Sequence, residues 1–279
     1  MPRLAVFDSG LGGLTVLAAI RRALPGVAVT YVADSAAFPY GPRPEAEVRD
    51  RVVAVIGAVL RDATAEGATG GAPLDAVVIA CNTASTAALE ALRAAFPDVP
   101  FVGTVPAIKP AAEATRSGVI GLLATPGTVD RPYIDALAAR FAAGRTLVRV
   151  GAPRLAALAE GKLRGTAPPV GAVAAEIAPL FDAPGLDVVV LGCTHYPLLR
   201  PELQAAAPWP VAWLDSADAV ARQAGRVLAD RVLTEDSAAV AGGDRCLLTA
   251  LTPGLLAPLA GAGLPPPGLL DGINGARMI

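Results

Sequence analysis

Two stretches of this chain are near copies of one another, and each ends in a cysteine followed by two polar residues. Leu74-Asp75-Ala76-Val77-Val78-Ile79-Ala80-Cys81-Asn82-Thr83 matches Leu186-Asp187-Val188-Val189-Val190-Leu191-Gly192-Cys193-Thr194-His195. Each copy reads as a turn, a fully apolar strand and a thiol at the strand's C-terminal end. A short apolar run without polar alternation is the pattern of a strand buried on both faces, as in parallel sheets covered by helices. In open α/β sheets the C-terminal strand ends are where ligands and chemistry collect. One thiol in each copy of a duplicated frame suits two thiols facing one substrate from opposite sides. Such a pair can take a proton from one face of a carbon and return one to the other.

The rest of the chain repeats the same alternation. Leu4–Phe7 reads as a strand, Gly10–Gly13 as a turn, and Leu14, Leu17, Ile20 and Leu24 keep helical spacing until Pro25-Gly26. Val29–Ala33 is the next strand. Val48, Val52, Val55, Ile56 and Val59 mark a second helix, and Gly67–Pro73 a loop. Val77–Ala80 is a strand, followed by a helix from about Ser85 to Ala95 and a strand at Phe101–Gly103. The pattern restarts with a strand at Val119–Ala124, then Thr125-Pro126-Gly127-Thr128, a helix over Val129–Phe141 and a strand at Leu147–Val150. A loop-rich stretch carries Glu160. A helix near Val170–Phe181 precedes the second thiol-bearing strand, Val188–Leu191. Leu4 and Ile120 stand 116 residues apart, and the two cysteines 112, so the halves read as an internal duplication. The expected fold class is α/β, with two pseudo-symmetric domains of mostly parallel sheets and the active site in the cleft between them. Residues 1–97 plus 210–279 form the expected first domain and 98–209 the second. Ala207-Pro208-Trp209-Pro210 reads as a linker, with Val211–Leu214 and a helix from Ala217 to about Leu233 returning to the first half.

Several side chains fall where chemistry is expected. Cys81 precedes Asn82, Thr83, Ser85 and Thr86, which are N-capping types at a helix start. A helix N-terminus there is expected to lower the thiol's pKa below its free value of about 8.5. Alone, Cys81 reads as a small buried hydrophobe; the matching context of Cys193 reverses that judgement. His195, the sole histidine, lies two residues past Cys193, placed to act as its base or proton relay rather than only as a backbone-bonded loop residue. Asp8 ends the first strand, ahead of Ser9-Gly10-Leu11-Gly12-Gly13, where it is placed to tune a thiol or hold a substrate ammonium. The glycines bring backbone N–H groups close to a ligand anion, or else merely turn the chain. The dinucleotide fingerprint fails here, because Thr15 stands in the third glycine's place.

Composition narrows the function classes. A formal net charge of −2 gives no electrostatic case for nucleic acid or an anionic membrane surface. Apolar runs are broken well before about 18 residues, so no spanning helix is expected. The start Met1-Pro2-Arg3-Leu4 enters a strand without a signal-peptide core, so a cytoplasmic protein with reduced thiols is expected. One histidine and no C-x-x-C pair argue against a structural metal. Only Lys109 and Lys162 are available for a Schiff base, both in expected loops, so pyridoxal chemistry is not expected.

Five segments in order carry a family resemblance. They are Phe7-Asp8-Ser9-Gly10-Leu11-Gly12-Gly13-Leu14, Pro39-Tyr40-Gly41-Pro42-Arg43, Ala80-Cys81-Asn82-Thr83-Ala84, Val105-Pro106-Ala107-Ile108-Lys109-Pro110 and Leu191-Gly192-Cys193-Thr194-His195-Tyr196-Pro197-Leu198. Together they resemble the glutamate racemases of the cofactor-independent aspartate/glutamate racemase superfamily; the related aspartate enzymes usually carry an acid where His195 stands. The resemblance implies that Cys81 and Cys193 are the acid/base thiols, with Asp8 assisting Cys81 and His195 assisting Cys193. Glu160 matches a carboxylate near that histidine. Asp8, Ser9, Tyr40, Gly41, Asn82, Thr83, Thr194 and His195 would bind substrate, with Thr125 a further candidate. It implies no cofactor and no metal, glutamate as substrate, no nucleic-acid or membrane partner, and it admits a homodimer. After Trp209 little matches beyond Asp215-Ser216-Ala217, and Cys246 has no implied role. Aspartate and hydantoin racemases, one-thiol decarboxylases and a pure amino-acid binding module are the competing readings; the paired thiols count against the last two.

Overall fold

The computed structural model describes residues 1–64, 73–232, 243–270 and 273. The loop expected at Gly67–Pro73 lies outside the described residues except for Pro73, as does Leu233. The chain runs β1 (Arg3–Asp8), α1 (Leu14–Ala23), β2 (Ala28–Ala33), α2 (Glu45–Thr64), β3 (Ala76–Ile79), α3 (Asn82–Ala95), β4 (Phe101–Gly103) and α4 (Ile108–Ala114). It continues through β5 (Val119–Ala124), α5 (Pro126–Val129), α6 (Pro132–Phe141), β6 (Thr146–Gly151), α7 (Leu155–Leu163), α8 (Ala172–Ile177), β7 (Val188–Gly192), α9 (Arg200–Ala206) and β8 (Ala212–Leu214). Last come α10 (Ala217–Val232), β9 (Arg245–Leu248), α11 (Leu256–Gly261) and β10 (Gly268–Leu269).

Among the described residues there are two sheets, ordered β10-β9-β2-β1-β3-β4 and β6-β5-β7-β8, and every strand pair in both is parallel. The duplication is visible in these orders, since β2-β1-β3-β4 and β6-β5-β7-β8 are the same arrangement repeated. Within it β1 corresponds to β5 and β3 to β7, so Cys81 and Cys193 occupy equivalent places. The same equivalence corrects one expectation. Val211–Leu214 does not return to the first half: Ala212–Leu214 pairs with β7, as β4 pairs with β3. The C-terminal segment joins the first sheet instead through β9, which pairs with β2 and places Cys246 opposite Tyr31.

Both faces of each sheet are covered. Along β1, Leu4 and Val6 enter one apolar cluster while Ala5 and Phe7 enter another. Along β5, Leu123 packs to one side and Ile120 and Leu122 to the other. Double coverage is why these strands are uniformly apolar. Cys246 is buried in the cluster against α1 and α10, a core position.

Three local readings change. The helix expected at Val129–Phe141 is two pieces, because the lost N–H and fixed φ of Pro132 start a new helix at α6. Glu160 and Lys162 lie on α7 rather than in loops. Apolar residues surround that helix, so it lacks the one-sided stripe that marks a helix in a sequence. Lys109 likewise sits on a helix, α4.

Candidate active site

The site is assembled where β1, β3 and β7 end. Cys81 is the residue before α3 and Cys193 follows β7 directly; both thiols are buried. The Cys81 thiol donates toward Ser9 Oγ at 3.7 Å. Burial and, next, the charge of Asp8 push Cys81 up to about 12, outweighing the Ala84 N–H and the Ser9 hydroxyl, which favour the thiolate. This corrects the expected lowering. The helix N-terminus does contribute a donor, but excluding water from the thiol has the larger effect.

Asp8 is fully buried and accepts the Gly10 N–H at 2.9 Å and the Thr194 hydroxyl at 2.9 Å. Burial raises its pKa, while His195, the Gly10 N–H and the Thr194 hydroxyl work the other way. The Thr194 bond joins the two sheets' strand ends. So does the bond from Thr15 Oγ1 to the Thr194 carbonyl, at 3.2 Å.

Cys193 Sγ lies 3.9 Å from His195 Nδ1. The imidazole is buried, with the Phe38 ring 5.2 Å away between centroids. Burial alone would lower its pKa. The bonds to Cys193 and Glu160, with the charges of Cys193 and Asp8, push the other way. Opposed to that pull, the Gly12 backbone N–H donates to His195 Nε2 at 3.1 Å and requires a lone pair there. Glu160 Oε1 accepts the Leu11 N–H at 3.2 Å and stands 3.9 Å from His195 Nε2. Residues 10–12 therefore lie flat on the second half. A Cβ at Gly10 would come within 2.5 Å of Glu160, and one at Gly12 within 2.3 Å of the imidazole.

On the other side of the thiols, the hydroxyls of Thr83, Thr125 and Thr128 form a buried triangle with edges of 3.0 to 3.3 Å. The Gly127 N–H donates to the Gly41 carbonyl across the halves at 3.2 Å. Asn82 Oδ1 is buried with no hydrogen-bond partner among the described residues, and Asn82 shares a crevice with Cys193, Thr194 and Ser216.

The structure thus brings Asp8, Ser9, Gly41, Asn82, Thr83, Thr125, Glu160, Cys193, Thr194 and His195 around Cys81. Tyr40 is different: its hydroxyl donates to the buried Asp34 at 2.6 Å, so the side chain faces a structural network instead. The sequence reading did not single out Gly12, Thr15, Phe38 or Thr128 as site residues. Thr128 alone had a local signal, three residues after Thr125 at a helix start. Among the described residues no three His, Cys, Asp or Glu side chains converge as a metal site, and no helix is long and apolar enough to cross a membrane.

A profile of the Asp/Glu/hydantoin racemases matches residues 12–224. A glutamate racemase from Brucella canis is 49% identical over 229 residues, spanning 81% of this chain and 79% of that protein. Escherichia coli glutamate racemase, solved with L-glutamate and the activator UDP-MurNAc-Ala, superposes with a TM-score of 0.86 at 41% identity, covering 96% of this chain and 98% of that one. Glutamate racemase isoform RacE1 from Bacillus anthracis superposes with a TM-score of 0.80 at 30% identity, covering 97% of each chain.

Proposed function

The chain belongs to the Asp/Glu/hydantoin racemase family, and from that premise we propose that it interconverts L- and D-glutamate by moving protons between the α-carbon and Cys81 and Cys193. The observation that carries the reading is the matched pair of buried thiols at equivalent strand ends, each with its own buried partners: Ser9 and Asp8 for Cys81, His195 and Glu160 for Cys193. A pure binding module has no use for such a pair.

The reaction needs one thiolate and one thiol. The C–H bond breaks as its proton passes to the thiolate, and the opposite S–H delivers a proton to the other face. The sulfurs exchange ionisation states and the net charge is unchanged. Burial and the charge of Asp8 hold Cys81 as the thiol, the proton-delivering partner. The α-proton is far less acidic than a thiol, so the carbanion depends on fixed donors in a site closed to water. The Thr83, Thr125 and Thr128 hydroxyls and the N-terminus of α3 supply donors for a carboxylate. The Asn82 Oδ1 without a partner suits the substrate ammonium. The reading includes two domains, one built on each sheet, with the chain changing over between β4 and β5 and again after β8. Closure of these domains would exclude water. D-Glutamate for peptidoglycan, made in the cytoplasm, is the role this activity has in the family.

Enantiopure D-glutamate in D2O, with a reductant and no added cofactor, tests the reading. Loss of the α-proton signal in proton NMR and the appearance of L-glutamate by circular dichroism are expected, and Cys81→Ser or Cys193→Ser should abolish the conversion. Exchange with aspartate or a hydantoin but not glutamate would move the substrate. No exchange with any of them in a folded protein would sink the proposal.

A further inference from the structure

The ring of His195 is gripped by groups from both halves of the molecule. Cys193 faces Nδ1 at 3.9 Å, and the Gly12 N–H faces Nε2 at 3.1 Å. Glu160 Oε1 stands 3.9 Å from Nε2, Asp8 acts through its charge, and Phe38 covers the ring. A main-chain N–H can only donate, so Nε2 must offer a lone pair, and the ring's one proton then sits on Nδ1. An imidazolium would set two N–H groups against each other across 3.1 Å. With the proton on Nδ1, the ring donates toward Cys193, and a donor aimed at sulfur favours the thiolate over the thiol.

We infer that the Gly12 main-chain N–H sets the tautomer of His195 and through it keeps an N–H donor aimed at the Cys193 sulfur, so that this base is armed only while the loop after β1 is docked on the second half. Gly12 is thus a positioning residue acting through His195; the inference rests on the racemase reading for its consequence in catalysis. Three features of the loop support it. The Leu11 N–H pins the same loop to Glu160 at 3.2 Å. Thr15 and Thr194 tie it at the next turn. A Cβ at residue 12 would sit 2.3 Å from Nδ1 and 2.5 Å from Thr194 Oγ1, so only glycine brings its N–H this close. With the loop withdrawn, Glu160 is the partner left for Nε2. It accepts rather than donates, so the ring's one proton moves from Nδ1 to Nε2 and Cys193 loses the donor that faced it.

His195 is the only histidine in the chain, so protein labelled with [15N]histidine reports this one ring. Near neutral pH the wild type should show a pyrrole-type Nδ1 and a pyridine-type Nε2. Two pyrrole-type nitrogens, or the reverse tautomer, would overturn the inference on the wild type alone. In Gly12→Ala the Nε2 signal should move to pyrrole type while kcat falls by about 10⁴-fold, the cost of a wrong tautomer at another histidine-assisted site, with KM changed much less. An unchanged ring spectrum in the folded variant would also overturn it. Glutamate racemisation, followed in the wild-type sample, separates the two readings. The Nδ1–H tautomer in a protein that does not racemise glutamate would keep the assignment and remove the function.

Discussion

The loop that carries Phe38 and Gly41 into the site hangs on one buried carboxylate, and removing it should cost far more than a surface ion pair. Asp34 is fully buried. It accepts from Arg51 Nε at 2.8 Å and Nη2 at 2.7 Å, from the Tyr40 hydroxyl at 2.6 Å and from Thr249 Oγ1 at 2.6 Å. In Asp34→Ala, Arg51 keeps its charge with a side chain only 14% exposed, and breaking a buried pair this way costs about 3–5 kcal/mol. The orphaned Tyr40 hydroxyl adds about 1–3 kcal/mol. Allowing for overlap, the loss is roughly 4–6 kcal/mol, or about 10–20 °C in Tm for a protein of this size. Thermal unfolding followed by calorimetry measures it. A cycle with Tyr40→Phe isolates the shared part: the double variant should be at least about 1 kcal/mol more stable than the two single losses predict. A loss below about 1.5 kcal/mol, or simple additivity, would refute the claim that Asp34 is the anchor. The milder Tyr40→Phe should keep the fold yet raise KM, because the same loop places Phe38 on His195 and the Gly41 carbonyl on the Gly127 N–H.

Burial pushes Cys246 up to about 12, so the folded state holds its thiol proton where the unfolded chain, at about 8.5, releases it. Its stabilisation is complete below pH about 8.5 and declines above it. The advantage of wild type over Cys246→Ala in urea unfolding should therefore shrink by roughly 1.6 kcal/mol in all between pH about 8.5 and about 10; a constant difference would contradict the burial argument. Thr194→Val removes a 2.9 Å donor from the buried Asp8 carboxylate; about 2 kcal/mol of stability and most of the racemase activity should go with it, and an active, equally stable variant would refute the bond's role. In Gly127→Ala the new Cβ would meet the Gly41 carbonyl at 2.6 Å. The two loops must then part, and glutamate kcat/KM should drop by about 10²-fold or more; unchanged kinetics would show that this contact does not shape the site.

What could be read from the sequence was what is local and periodic. Uniformly apolar runs such as Val77–Ile79 and Val188–Leu191 announce doubly covered parallel strands, and a thiol two residues after each is a matter of counting along one strand. The side on which Ala212–Leu214 pairs was not readable from its own three residues; it follows only when the second half is recognised as repeating the sheet order of the first. The helix that carries Glu160 was hidden for a related reason: α7 is apolar nearly all round and so shows no stripe. Cys81 is the sharpest case. The residues after it correctly predict a helix start, and the Ala84 N–H does favour the thiolate. Yet Asp8, on the neighbouring strand and 73 residues earlier, together with exclusion of water, decides the thiol's ionisation the other way. A local motif can place a nucleophile or base, but its proton is set by whatever the fold stacks beside it. In this molecule that means Asp8 on the neighbouring strand for Cys81 and, across the halves, the Gly12 N–H that meets His195 beside Cys193.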